Sequence, residues 1–285
     1  MTGFDACVFC GASPTNNEDV VPRWLVRFLR LVPPATRRIG RTFADRTDLG
    51  GASAQSVEGI GVGKVKAVCG DNCNNGWMKR LEDQTKPILQ ELILKCDSVT
   101  LDQDAQETLA VWALKTATML MVLYSKVPSA TLLTPLRDLK PPEAAIVWMA
   151  RVEPEIVRVG GGPLLATAKD DPSIRSEGYI ARLTFGNVGF VVFGNPAPRG
   201  GTWMMSQDVR DRFNPIWPAR EPVLEWPITA TVTANHLDRF AEAIRGIVTR
   251  GQPLPAAPDH HVFTFDEDEM KEGSQAAGRP QTASE

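Results

Sequence analysis

The run Val68-Cys69-Gly70-Asp71-Asn72-Cys73-Asn74-Asn75-Gly76-Trp77-Met78 sets two thiols four residues apart and then continues into a stretch able to open a helix. Near the start of the chain, Cys7-Val8-Phe9-Cys10-Gly11 offers a second pair at tighter spacing. A tetrahedral zinc ion takes four ligands, with sulfur at about 2.3 Å, and a Cys-x-x-Cys turn presents two thiolates to one side of it. Cys69 and Cys73 enclose three residues, still within the usual spacing, and Gly70 is free to make the turn. The two pairs predict one zinc site held by Cys7, Cys10, Cys69 and Cys73. Four sulfurs close the coordination sphere, so the expected role is structural: a staple for a small domain, with metal binding linked to folding. The fifth cysteine, Cys96, stands alone and is expected to be a small buried apolar side chain. An odd count arranged as two close pairs suits metal in a reducing compartment better than a disulfide framework.

Working outward, the chain of 285 residues has the apolar content of a globular protein and a formal charge of −3. Near neutrality excludes bulk attraction to nucleic acid or anionic membrane, so any such binding depends on local patches. No stretch approaches the roughly 20 apolar residues a membrane span needs, and no basic start followed by an apolar run opens the chain. The expectation is a cytoplasmic protein with no membrane partner.

Three regions are expected. Residues 1–98 hold both cysteine pairs and a Gly/Ser/Ala loop from Gly50 to Gly63, and form a zinc-stapled domain. Residues 99–250 form an α+β domain. Thr100 and Gln103 resemble a capping box, and the apolar run from Leu109 to Leu123 predicts a helix of about 20 residues, buried because it is apolar on all sides. Strand signals follow at Ala145–Val152, Ile156–Val159, Tyr179–Phe185, Val188–Phe193, Val223–Trp226 and Ile228–Val232, with Gly186-Asn187 as a hairpin turn and Gly160-Gly161-Gly162 as a loop. These predict a mainly antiparallel sheet. Asn235 is expected to open a closing amphipathic helix through Leu237, Phe240, Ala243, Ile244 and Ile247, ended at Gly251. Residues 251–285 carry seven acids against two bases, a net of −5, and predict an acidic disordered tail.

The first region resembles a family. Cys-x-x-Cys-Gly, then Glu18-Asp19-Val20-Val21-Pro22-Arg23-Trp24-Leu25, then Cys69 through Met78 and Leu81-Glu82, is similar to the zinc-knuckle branch of the HNH (His-Me finger) endonucleases. The resemblance covers about 90 residues. It implies a ββα module around one divalent ion, magnesium or manganese, separate from the structural zinc. By position Glu18 matches the acidic metal ligand, Asn74 matches the ligand on the helix, and Asp19 stands where the family has its catalytic histidine. An imidazole with a pKa of about 6.5 takes a proton from water at neutral pH, whereas a carboxylate of about 3.9 is a far weaker base. The histidines, His236, His260 and His261, all lie far from this motif in sequence. The resemblance therefore implies a metal-dependent endonuclease, a hydrolase, with weakened or lost activity. The same residues also admit a structural reading: Glu18 and Asp19 as acids favoured at the start of a helix from Pro22 to Leu31, and Asn74 as a helix cap.

Residues 21–46 contain Arg23, Arg27, Arg30, Arg37, Arg38, Arg41 and Arg46 against Asp45 alone, a net of +6. The planar arginine fork matches phosphate oxygens, so this stretch is the candidate track for DNA or another nucleic acid, although such runs elsewhere are often solvated helix faces. The tryptophans of the second region are expected in the core. The leading function is an HNH-like endonuclease or a degenerate, DNA-binding relative. The alternative is a non-catalytic, zinc-scaffolded adaptor for a protein partner, in a setting such as phage–host conflict.

Overall fold

A computed structural model describes residues 6–13, 16–31, 64–95, 98–123, 126–167, 175–194, 203–205, 207–228, 230–249 and 261–263. The elements run β1 (Asn16–Asp19), α1 (Arg23–Leu31), β2 (Lys64–Cys69), a π-helical segment (Asn72–Met78), α2 (Lys79–Leu94), β3 (Val99–Asp102), α3 (Gln103–Leu123) and α4 (Ala130–Arg137). They continue with β4 (Ala145–Thr167), β5 (Arg175–Gly194), β6 (Trp203–Met205), α5 (Gln207–Arg212), β7 (Asn214–Trp217), β8 (Val223–Trp226), β9 (Thr231–Val232), α6 (Ala234–Thr249) and β10 (His261–Phe263). The class is α+β.

The sheet is built on β4 and β5, which pair antiparallel over their whole length; β7 adds antiparallel and β9 parallel to β4. Side chains alternate across a strand, and here both faces are covered. Ala145, Val147 and Met149 join the cluster that holds α3, while Ile146, Trp148, Ala150 and Val152 join the one that holds Leu237, Phe240 and Ile244 of α6. Trp112 of α3 meets Phe185 edge-on at 5.2 Å, and Trp148 meets Phe240 edge-on at 5.2 Å on the opposite face. Burial on both faces explains why these strands are continuous apolar runs rather than alternating ones. Helix α3 is buried along almost every position from Leu109 to Val122, as its all-round apolar pattern requires.

The first buried cluster also contains Cys7, Phe9, Val20, Leu25, Leu29, Trp77, Leu81 and Leu89, so one core runs across residue 98. In that N-terminal part β1 pairs antiparallel with β2, and the chain passes through the π-helical segment into α2. Of the tryptophans expected in the core, Trp112, Trp148 and Trp226 are buried and Trp217 is partly buried, while the side chain of Trp203 lies outside the described residues. Trp226 Nε1 donates to Leu92 O at 3.0 Å and Trp217 Nε1 to Pro142 O at 2.9 Å.

Several expectations change. The cap of α3 is Asp102, whose Oδ1 accepts from the Ala105 N–H at 2.8 Å; Thr100 lies in β3 and donates its hydroxyl to Glu225 of β8 at 3.0 Å. The cap of α6 is Thr233, whose hydroxyl accepts from the His236 N–H at 3.3 Å, and Asn235 already lies inside the helix. Gly186-Asn187 is no hairpin turn. Gly186 does take a positive φ of 63°, but as an irregularity opposite Glu155 inside a strand that continues. Gly160-Gly161-Gly162 is no loop either: it pairs with Arg182, Ala181 and Ile180 in β4–β5. The expected strand Ile228–Val232 contracts to Thr231–Val232. Cys96 and the loop from Gly50 to Gly63 lie outside the described residues. So does nearly all of the expected disordered tail, of which His261–Phe263 is described as β10, parallel to β6.

Candidate metal centre

The knuckle at Cys7 closes through backbone bonds: Gly11 N–H donates to Cys7 O at 2.8 Å and Cys7 N–H to Ala12 O at 2.6 Å, with Gly11 at a φ of 73°. That positive φ is the reason glycine follows the second thiol. The knuckle is tied to β2 by Val8 N–H donating to Val68 O at 3.2 Å. Across from it, Gly70 O accepts from both Cys73 N–H and Asn74 N–H at 3.0 Å, which starts the π-helical segment and turns Cys73 inward. Asp71 Oδ1 accepts from Asn16 Nδ2 at 3.0 Å and from Asn75 Nδ2 at 2.6 Å, fixing β1 against this turn. Phe9 and Trp77, edge to face at 5.1 Å, wall the cluster.

The result brings the sulfurs of Cys7, Cys10 and Cys73 within 4.8 Å of one another. Tetrahedral zinc–sulfur bonds imply sulfurs roughly 3.8 Å apart, so a small contraction seats the ion, and a soft donor set of this kind fits zinc. Burial pushes the Cys7 thiol up, but N–H groups of Gly70, Phe9 and Cys10 and the Cys10 side chain outweigh it and hold Cys7 below its ordinary value. Cys73 is pushed up to about 12, chiefly by burial.

The predicted fourth ligand is placed differently. Cys69 is fully buried, yet its Sγ turns to Met78, donating to Sδ at 3.8 Å, and it is outside the close group of three. Burial, then the Glu18 charge, raises its pKa far above the ordinary thiol range. The backbone of Gly70 is what faces the cluster: a Cβ built there would lie 3.7 Å from Cys10 Sγ.

Glu18 and Asp19 point apart. Glu18 is 8% exposed and accepts from the Lys115 ammonium, which also donates to Glu82 Oε1 at 3.3 Å. Asp19 instead pairs with Arg23 Nε at 2.9 Å, at the more exposed start of α1. Asn74 is half-buried near the start of the π-helical segment. Glu18, the carboxylate that the resemblance assigns to magnesium or manganese, is thus engaged by Lys115, and Asp19, at the position of the family's histidine, is engaged by Arg23. Among the described residues, Arg23, Arg27 and Arg30 are exposed on α1, whose Leu25 and Leu29 are buried. Arg37, Arg38, Arg41 and Arg46 lie outside the described residues.

Sequence reasoning missed Lys115. Burial alone would push its pKa down, but the Glu18 and Glu82 charges outweigh that and raise it, so the ammonium is charged. An unpaired buried ammonium costs several kcal/mol, which its two carboxylates offset. The signal was available: Lys115 is the only charge between Leu109 and Leu123 in a helix apolar on every side. Glu82 is held above the usual carboxylate range, mainly by burial. No protein-family model matches the chain, and neither does any curated protein or solved structure.

Proposed function

We propose that the chain is a degenerate relative of the HNH endonucleases that binds nucleic acid, DNA foremost, without cutting it, and that its cysteine cluster is a structural zinc site. The observation that carries the binding part is the face of α1: Arg27 and Arg30 exposed one turn apart, on a helix anchored through Leu25 and Leu29. Their forks match phosphate oxygens, and both belong to the stretch of net +6. Arg23 contributes less, because Asp19 already holds it. The absence of cutting follows from Asp19 standing where a histidine would act as base and from the pairing of Glu18 with Lys115. Zinc, when bound, joins the N-terminal knuckle to the start of the π-helical segment and so holds β1 and α1 in register with α2.

Binding of labelled duplex and single-stranded DNA across a salt series tests this. The expected log–log slope is several units, reduced by roughly one for each of Arg27→Ala and Arg30→Ala, with plasmid left intact in magnesium or manganese. Absence of binding at low salt, or binding indifferent to both substitutions, overturns the nucleic-acid reading in favour of a protein-binding adaptor.

A further inference from the structure

Lys115 sits mid-way along α3, a helix buried at every position from Leu109 to Val122, and is 0% exposed. Its ammonium meets two carboxylates that come from separate elements, Glu18 from β1 and Glu82 from α2. Two carboxylates drawn to one point repel each other unless a cation lies between them. One ammonium thus serves two carboxyl groups that converge from separate elements, a place that a divalent cation would equally fill. The position between Glu18 and Glu82 is thus a cation site by its own electrostatics, with a tethered ammonium already in it.

We propose that the Lys115 ammonium is a built-in occupant of a cation site formed by Glu18 and Glu82, and that it excludes a divalent metal from this part of the chain. The inference deepens the reading of the chain as a non-cutting HNH relative, since Glu18 is the residue that the resemblance assigns to the metal. The site itself rests on Lys115, Glu18 and Glu82 alone. It makes the loss of metal a consequence of a residue in the central helix, outside the cysteine-bearing motif. A metal would need the same carboxylate oxygens that Lys115 now holds.

The experiment is Mn2+ titration followed by electron paramagnetic resonance, on the full chain with its zinc loaded. Wild type, Lys115→Ala, Lys115→Gln and Lys115→Ala with Glu18→Gln are compared. Wild type is expected to leave the free Mn2+ signal unchanged. Lys115→Ala vacates the space of the lysine stem and should take up about one Mn2+, with affinity reduced roughly tenfold or more when Glu18→Gln is added. Lys115→Gln keeps a similar volume and an uncharged amide NH2 that can donate to the carboxylates, so it serves if the alanine variant does not fold. Folding of either variant only when Mn2+ is present also supports the site. Mn2+ uptake by wild type that Glu18→Gln abolishes overturns the proposal, as does a folded, zinc-loaded Lys115 variant that takes up none. The readout is Mn2+ occupancy, so a failure to bind DNA would sink the functional reading and leave this result untouched.

Discussion

Cys69 ends β2 and Gly70 follows it, and it is the Gly70 backbone that lies against Cys7 and Cys10. Gly70 takes the inward position. Cys69 turns to Met78 instead, its Sγ 3.8 Å from the Met78 Sδ and outside the close group of three sulfurs. The three clustered thiols should therefore carry most of the zinc affinity. Cys10→Ser and Cys73→Ser are expected to retain less than about half an equivalent of zinc after purification without added metal. Cys69→Ser should retain nearly a full equivalent and release it faster to a chelator. Zinc loss from Cys69→Ser as complete as from Cys73→Ser would mean that Cys69 swings in as a fourth ligand when metal binds.

Strands β4 and β5 show at the scale of elements why glycine is hard to interpret locally. At Gly161 a Cβ would lie 2.4 Å from Ile180 O and 2.8 Å from the Ala181 Cα, both backbone atoms that cannot swing aside. Gly161→Ala should then destabilise the fold by roughly 1–3 kcal/mol, the usual cost of forcing atoms into a packed position. Chemical denaturation measures it, and an unchanged midpoint would mean the two backbones are not in such close approach. The same glycines suggest a loop in the sequence because glycine marks both chain breaks and close backbone contacts, and only the partner strand distinguishes them. Gly186 has the same ambiguity: positive φ suits a hairpin and a bulge alike. Patterns carried by neighbouring residues were legible, as with the apolar runs of β4 and β5, the all-apolar α3, the amphipathic α6 and the paired cysteines. The partnership of Lys115 with Glu18 was not, because 97 residues separate them and no local period links them. Cys69 was legible as a cysteine of the right spacing, while the direction of its side chain depends on where β2 ends.

For the whole molecule, the formal charge of −3 conceals a strongly uneven distribution. Residues 21–46 carry +6 and residues 251–285 carry −5, so under the nucleic-acid reading the acidic segment would compete with phosphate for the same arginines. The competition can be removed without touching a described element. Truncation after Phe263 keeps β10 and deletes residues 264–285, which hold six acids against Lys271 and Arg279. The net charge of the chain then moves from −3 to +1. Under the nucleic-acid reading, the truncated chain should bind DNA several-fold more tightly at low salt, and the advantage should vanish as salt shortens the reach of charge to a few ångströms. Arg27→Ala with Arg30→Ala should erase the gain, because the tail can only compete for a surface that binds phosphate. A tighter but substitution-insensitive complex would place the phosphate contacts elsewhere in the +6 stretch. A truncated chain that still fails to bind at low salt removes electrostatic masking as an explanation and leaves α1 as a solvated face.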